Sequence, residues 1–276
     1  MKMKKATKIF LLFFAWLAVL LIVSLSEIQG ALLTLASLPI QTIIGLVLFF
    51  LFTVTIMTFA VKVAVKSAGI ELNFKEAAKY FFKSSFIDNL TLEVLPFGEV
   101  YLSRELSKNF NKKFSETVKV AFLLVACSYA GFGSLIVLAF LGLDLIGFVG
   151  WLSSIVVLSG LLYLLSKNLK VWEKLGAKTL KTVLFKEILI LTVLHSIIFL
   201  VNALMFSFVT SADAGRYVAS FFVASFIPFP SAFEITNTVF QLETYAQVFI
   251  LTSVFRLFSF WLINFIGVGY FYRESK

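Results

Sequence analysis

The sequence predicts an all-α polytopic membrane protein of about six transmembrane helices plus two re-entrant helical hairpins, the two halves arranged as an inverted repeat. Three observations carry that expectation. Sixty per cent of the 276 residues are hydrophobic and only 14% are charged, more apolar surface than a soluble domain of this length can bury. Uncharged runs recur along the chain at the roughly 18–20 residues a helix needs to cross a bilayer core. Two further segments are interrupted by proline at corresponding places and do not fit as single crossings.

The first run, Ile9–Ser26, follows the basic stretch "MKMKKATK". It resembles a signal peptide at its start, but its apolar length and the indifferent "SLSEIQG" that follows favour a retained helix. Pro39–Val61 is expected to return across the membrane, with Pro39 in the first turn, where its missing N–H has no helical partner to lose. Val120–Leu143 and Leu145–Ser166 form an out-and-back pair through "GLD". Ile188–Thr210 crosses next, and Thr244–Tyr272, apolar apart from Arg256, crosses last. The whole chain, 1–276, reads as one integral membrane domain, with pseudo-repeats over about 39–143 and 188–272 and with helices 9–26 and 145–166 peripheral to them.

Charge sets the orientation. Of 24 lysines and arginines, four lie in the N-terminal octapeptide, ten between Lys62 and Lys119, six between Lys167 and Lys186 and two at the C-terminus. With both termini cytoplasmic, 22 of the 24 face the cytoplasm, as the positive-inside rule requires. The net charge of +9 then reports topology in a cell (plasma) membrane and contact with anionic headgroups, and implies no nucleic acid. The only cysteine, Cys127, sits in an apolar run, so a disulfide framework is excluded and a small lipid- or helix-facing residue is expected.

The first irregular segment opens with "NFKEAAKYFFKSSF". Asn73 and Glu76 have capping-box spacing. Lys75, Lys79 and Lys83 recur every four residues, opposite Phe81 and Phe82, which predicts an amphipathic helix at the cytoplasmic interface. It leads into "LPFGEVYLSREL", with Pro96 and Gly98 expected at a hairpin turn. The second segment, about Asp213–Glu243, contains "IPFPSAFEITNTVF", with Pro228 and Pro230 at its turn. Both read aliphatic–Pro–Phe–Gly/Pro followed by a glutamate, Glu99 in one and Glu234 in the other. One would dip in from each face, and irregular backbone at membrane depth is tolerated only where it is buried in protein or lines a wet cavity.

At these residues the chain resembles the flippase-like transmembrane domain of lysylphosphatidylglycerol synthase, the bacterial multiple peptide resistance factor, in a stand-alone form without the soluble synthase domain. The similarity is sharpest from Ile227 to Arg273, where the proline-rich turn, Glu234, Arg256 and Gly267 and Gly269 follow the family's order, and "LPFGEVYLSREL" resembles its Pro, Gly-Glu, Arg element. It departs from the family where "PSAF" stands in place of paired glycines and where Arg104 lies five residues past Glu99. The resemblance implies movement of lipids or lipid-linked glycans between leaflets, with Glu99, Arg104, Glu234 and Arg256 as substrate-binding residues. Lipid aminoacylation is not expected. Membrane lipids, phospholipid or polyprenyl-phosphate-linked glycan, are the implied partners, alongside a homo-oligomer or a separate glycosyltransferase or synthase.

Each ionisable residue also has a plainer use. Arg256 and Glu234 can form a structural ion pair, since a charge at membrane depth costs about 2.5–3.5 kcal/mol and needs a partner or water. Glu234 can cap the second limb of its hairpin. Glu99 and Arg104 can be solvated near the cytoplasmic face. His195, Asn202 and Asn264 suit interhelical hydrogen bonds. No metal-ligand cluster, phosphate loop or nucleophile motif is present, so no catalytic residue, metal or cofactor is expected. Two rivals to a translocase remain. An intramembrane enzyme acting on polyprenyl-phosphate lipids would need a nucleophile or metal set; a non-catalytic scaffold for a glycosyltransferase would tolerate loss of Glu234 and Arg256.

Overall fold

Long apolar runs become long helices because every backbone polar group in lipid must be satisfied within its own segment. The computed structural model describes residues 29–89, 96–142, 144–168, 182–211, 213–224, 236 and 245–274. The described residues are helical, with no strand among them. After a helical stretch over 29–35 come α1 (Ile40–Ser67), α2 (Phe74–Asn89), α3 (Phe97–Asn109), α4 (Phe114–Leu141) and α5 (Leu145–Asn168). They are followed by α6 (Phe185–Thr210), α7 (Ala214–Ala224), α8 (Tyr245–Arg256), a π-helical segment Leu257–Trp261 and α9 (Leu262–Glu274).

Among the described residues, five helical stretches are long and apolar enough to cross a membrane: α1, α4, α5, α6 and Leu251–Arg273. These correspond to five of the six expected crossings; the sixth, Ile9–Ser26, lies outside the described residues. Three of the helices extend beyond the uncharged runs. α1 continues past Val61 to Ser67, α4 starts at Phe114 and α6 at Phe185. A lysine ends a hydrophobic run without ending a hydrogen-bond ladder, so these helices project beyond the apolar stretch. What stops them is backbone geometry. Gly69 and Gly142 take positive φ (68° and 94°) after α1 and α4, and Ser211 does so (59°) after α6. Pro39 precedes the first residue of α1 as its N-cap.

The last crossing is not one regular α-helix. The five-residue π segment lies between α8 and α9, directly after Arg256. Single-turn π bulges inside helices recur at functional sites.

The Asn73–Glu76 capping box forms as its spacing predicts. Glu76 N–H donates to Asn73 Oδ1 and Asn73 N–H to Glu76 Oε2, both at 2.9 Å. The interfacial reading of the lysine stripe does not hold for Lys83. That side chain is 1% exposed and its Nζ lies 2.6 Å from Glu105 Oε2 on α3, above the rings of Tyr101 and Phe271. α2 is clasped between α1, α3 and α9, so Lys83 at its inner end meets protein, while Lys75 stays exposed and Lys79 is half-buried.

α2 and α3 run antiparallel. Asn109 donates to Tyr80 Oη, Glu105 pairs with Lys83, and Gly98 N–H donates to Asp88 Oδ1, pairs that step inward toward residues 93–94. The connection between them, residues 90–95, lies outside the described residues. Pro96 is the N-cap of α3 and Gly98 lies in its first turn, where a Cβ would collide with Ser84 O and Asp88. Gly98 is a close-approach glycine rather than a turn glycine.

Two apolar cores lie end to end. One gathers Ala60–Val65 of α1, Phe81 and Phe82 of α2, Leu102 and Leu106 of α3, Val120–Leu124 of α4 and Ile188–Leu194 of α6. The other gathers Leu46 and Phe49, Leu135 and Leu138, Ala203–Val209 and Val254–Phe258. α5 stays at the margin on α4 and α6, its outer side chains such as Leu145 exposed, as lipid-facing residues are. Cys127 is buried, its Sγ 3.7 Å from Ile188 O.

Candidate functional site

Between the two cores the helices carry polar and small residues, and they part around a cavity of about 250 Å³. Thr53 and Met57 line it from the middle of α1, Ser128 from the middle of α4, and His195, Phe199 and Asn202 from the middle of α6. The opposite wall comes from the irregular elements. α2 contributes Ser85 and Asp88, α3 contributes Glu99, α7 contributes Tyr217 and Phe221, and the last crossing contributes Arg256, Ser259 and Phe260. Aromatic side chains cover much of the wall, and the charged groups stand within it.

Arg256 is 9% exposed, and its Cζ lies 3.8 Å from the centroid of the Phe260 ring one turn on. A guanidinium this close to an aromatic ring gains from cation–π attraction. α-Helical order gives way to π-helical order right after Arg256, and Phe260 lies within the π-helical stretch.

Glu99 and Asp88 meet on the other side. Both carboxyls line the cavity, and Asp88 Oδ1 accepts from the Gly98 N–H. Burial pushes the Glu99 carboxyl above the ordinary carboxylate range, opposed in part by hydrogen bonds from its own backbone and with Asp88. Tyr101, two residues past Glu99 on α3, is pushed to about 12, chiefly by burial, and stays a phenol.

His195 is buried, with Nδ1 2.8 Å from the Leu191 carbonyl of its own helix. A carbonyl can only accept, so Nδ1 carries the proton and Nε2 is left as the acceptor. Its expected partner on a neighbouring helix is thus replaced by one on its own. Asn202 likewise donates Nδ2 to the Ile198 carbonyl at 2.8 Å. Both side chains satisfy a donor within their own helix, and both residues line the cavity. Thr53 Oγ1 and Ser259 Oγ meet no hydrogen-bond partner among the described residues. α4 and α6 approach closely here because Gly131 has no Cβ; one would lie 2.8 Å from His195 Cβ.

Of the residues singled out from the sequence, Glu99 and Arg256 line one cavity. Arg104 does not: it is exposed on α3, and the neighbouring Glu105 turns inward to Lys83 instead. Five residues separate Glu99 from Arg104, well over one turn of 3.6, which takes the arginine off the Glu99 face. Glu234, Pro228 and Pro230 lie outside the described residues. Asp88, Thr53, Ser128 and Ser85 were missed. Asp88 ends a helix of mixed charge, where an acid carries no sign of a buried role. The others are single hydroxyls in apolar helices and carry none.

No known protein family, curated protein or solved structure matches the chain.

Proposed function

We propose that the chain is a lipid or lipid-linked glycan translocase that carries an anionic headgroup across the bilayer through the Arg256 cavity. The observation that carries this reading is the cavity's position. It lies at the middle of α1, α4 and α6, helices long enough to cross a membrane, and gathers a buried guanidinium and two carboxyls from interrupted elements. Broken helices that point polar groups at a site near the bilayer midplane are the design of inverted-repeat transporters. An α-helical pair α2–α3 that returns on itself supports the first re-entrant hairpin. For the second, Thr236 donates to the Ser220 carbonyl of α7 at 3.2 Å, so residues equally spaced about Pro228 are brought together. Both termini then face the cytoplasm of a cell membrane.

A headgroup phosphate leaving water needs charged donors, and Arg256 presents a planar fork suited to bind it bidentately. Glu234 is the expected counter-charge when the site is empty, so that exchange between carboxylate and phosphate leaves neither charge alone. The resemblance to the flippase-like domain of lysylphosphatidylglycerol synthase is a further support, on motif order alone.

The test is dithionite quenching of fluorescent phospholipid or polyprenyl-phosphate analogues in proteoliposomes. Arg256→Ala and Glu234→Ala should each abolish translocation, and Arg256→Lys should lose most of it, a point charge being unable to bind bidentately. A folded Arg256→Ala protein that moves both lipids at the wild-type rate would refute the proposal.

A further inference from the structure

α1 carries a second polar feature, which the Arg256 cavity does not use. Its outward-facing residues recur at alternating steps of four and three: Leu48, Phe52, Thr55 and Phe59 are exposed, and Lys62 and Lys66 continue the same stripe. Thr55 does not interrupt the apolar character of the stripe, because its hydroxyl donates to the Leu51 carbonyl of its own helix. The cavity residue Thr53 lies nine residues before Lys62, about two and a half turns of helix. The lysines therefore stand on the side of α1 away from the Arg256 cavity.

Where the stripe ends, the chain builds a cleft. Gly69 takes a positive φ of 68° and turns the backbone, so that Ile70, Glu71 and Leu72 come beside Lys62 and Lys66 around a space of about 210 Å³. Ile70 and Leu72 are buried, Lys62 is half-buried and Lys66 is exposed. Lysines one turn apart on a helix are neighbours, close enough to share one anion. Glu71 lines the cleft too, yet forms an ion pair with neither of them. Two lysines less one glutamate leave a charge of +1, which a single phosphodiester cancels.

We propose that this cleft and stripe hold one anionic phospholipid, its phosphate between Lys62 and Lys66 and an acyl chain along Phe59, Thr55, Phe52 and Leu48. From Phe59 back to Leu48 is eleven residues, roughly 16 Å of helix, and half the hydrocarbon core of a bilayer is about 15 Å thick. The stripe thus spans one leaflet and ends where headgroups begin. Lysine stems lie on apolar surface while their charge stays at the headgroup level, and basic pockets beside membrane helices bind anionic headgroups. The apolar run Ile9–Ser26 is also long enough to cover the stripe, but it starts from an octapeptide with four lysines and no acid. It would set like charges beside Lys62 and Lys66, where a phosphate neutralises them. The site is independent of the headgroup reading of the Arg256 cavity.

The test uses the full chain in phosphatidylcholine nanodiscs doped with a phosphatidylglycerol probe that carries a diazirine in its acyl chain. Irradiation and peptide mapping should place the label within Leu48–Phe59. Each lysine contributes about fivefold in attraction for an anionic lipid, so Lys62→Gln should cut labelling by that factor and Lys62→Gln with Lys66→Gln by about 25-fold. Lys62→Arg with Lys66→Arg should keep it, and Arg256→Ala should leave it unchanged. A phosphatidylcholine probe should label no better than the double glutamine variant. Lys75→Gln, which removes an exposed charge outside the cleft, should have no effect. Label absent from α1 in the wild type would mean that another segment covers the stripe, and overturns the proposal. So does a loss in Lys75→Gln equal to that in Lys62→Gln, the mark of a general surface attraction. Displacement by inorganic phosphate, beyond what chloride of the same ionic strength causes, would make the cleft a site for soluble anions and overturns the lipid.

Discussion

Lys83 and Arg256 are both buried cations, and the protein treats them in opposite ways. Lys83 is enclosed: a carboxylate at 2.6 Å and two aromatic faces occupy it, and it does not line the central cavity. Arg256 rests on one aromatic face and borders the cavity. A cation surrounded by its own protein has nothing left to offer a ligand, and its worth is that α2, α3 and α9 converge on it. A cation on a cavity wall stands where an occupant can reach it. Burial of charge alone does not mark a functional site; burial beside open volume does.

The largest effect that sharpens this contrast is on stability. Lys83→Met should leave Glu105 facing apolar rings without its partner and destabilise the fold by about 3–5 kcal/mol. Unfolding in sodium dodecyl sulphate would measure it. Adding Glu105→Leu should recover most of the loss, since an apolar pair of similar volume can replace a buried ion pair at little cost. Headgroup movement per folded molecule should be close to wild type in the double variant, the reverse of what Arg256→Ala should show. A double variant as unstable as Lys83→Met alone would mean that the charge pair is needed for more than mutual compensation.

A smaller effect joins the two regions. Gly131 lets α4 touch the backbone of α6, with His195 C and Ser196 N within 2.9 Å of where a Cβ would sit. Those atoms belong to helix backbone and cannot swing aside. Gly131→Val should cost about 1–3 kcal/mol by overpacking and push His195 off the cavity wall, so that both melting temperature and translocation fall. Loss of stability with unchanged translocation would detach α6 from the site.

These contrasts also show what the sequence could say. Crossings were legible because hydrocarbon imposes length and apolarity on the residues themselves, and the Asn73–Glu76 cap because its partners are three residues apart. Arg256 stood out as a lone charge in an apolar run. Lys83 looked like its neighbours Lys75 and Lys79, because a four-residue spacing gives the face of a helix but not what that face meets. Only the return of α3, with Glu105 in register, makes it a core residue. Asp88 was hidden for the same reason: its partner, the Gly98 N–H, lies ten residues further along the chain. The π segment had no compositional mark, since "LFSFW" suits an α-helix equally well.

The smallest effect concerns the hydroxyls beside Gly131. Ser134 Oγ lies 2.9 Å from Ser196 Oγ across the α4–α6 contact, which looks like an interhelical bond. Yet Ser134 Oγ is also 2.7 Å from the Gly131 carbonyl, and Ser196 Oγ is 2.8 Å from the Thr192 carbonyl. Two hydroxyls own two protons, while three contacts ask for one each. The serine–serine bond therefore forms only when one hydroxyl gives up its bond within its own helix, and the gain is the difference between two similar bonds. Ser134→Ala, Ser196→Ala and the double variant should give a coupling at or below the roughly 0.6 kcal/mol usual for such pairs in membranes. Gly131, by contrast, holds the helices together through shape. A coupling above about 1.5 kcal/mol would place the specificity of this contact in the hydroxyls, and would predict that Gly131→Ala is tolerated while they remain.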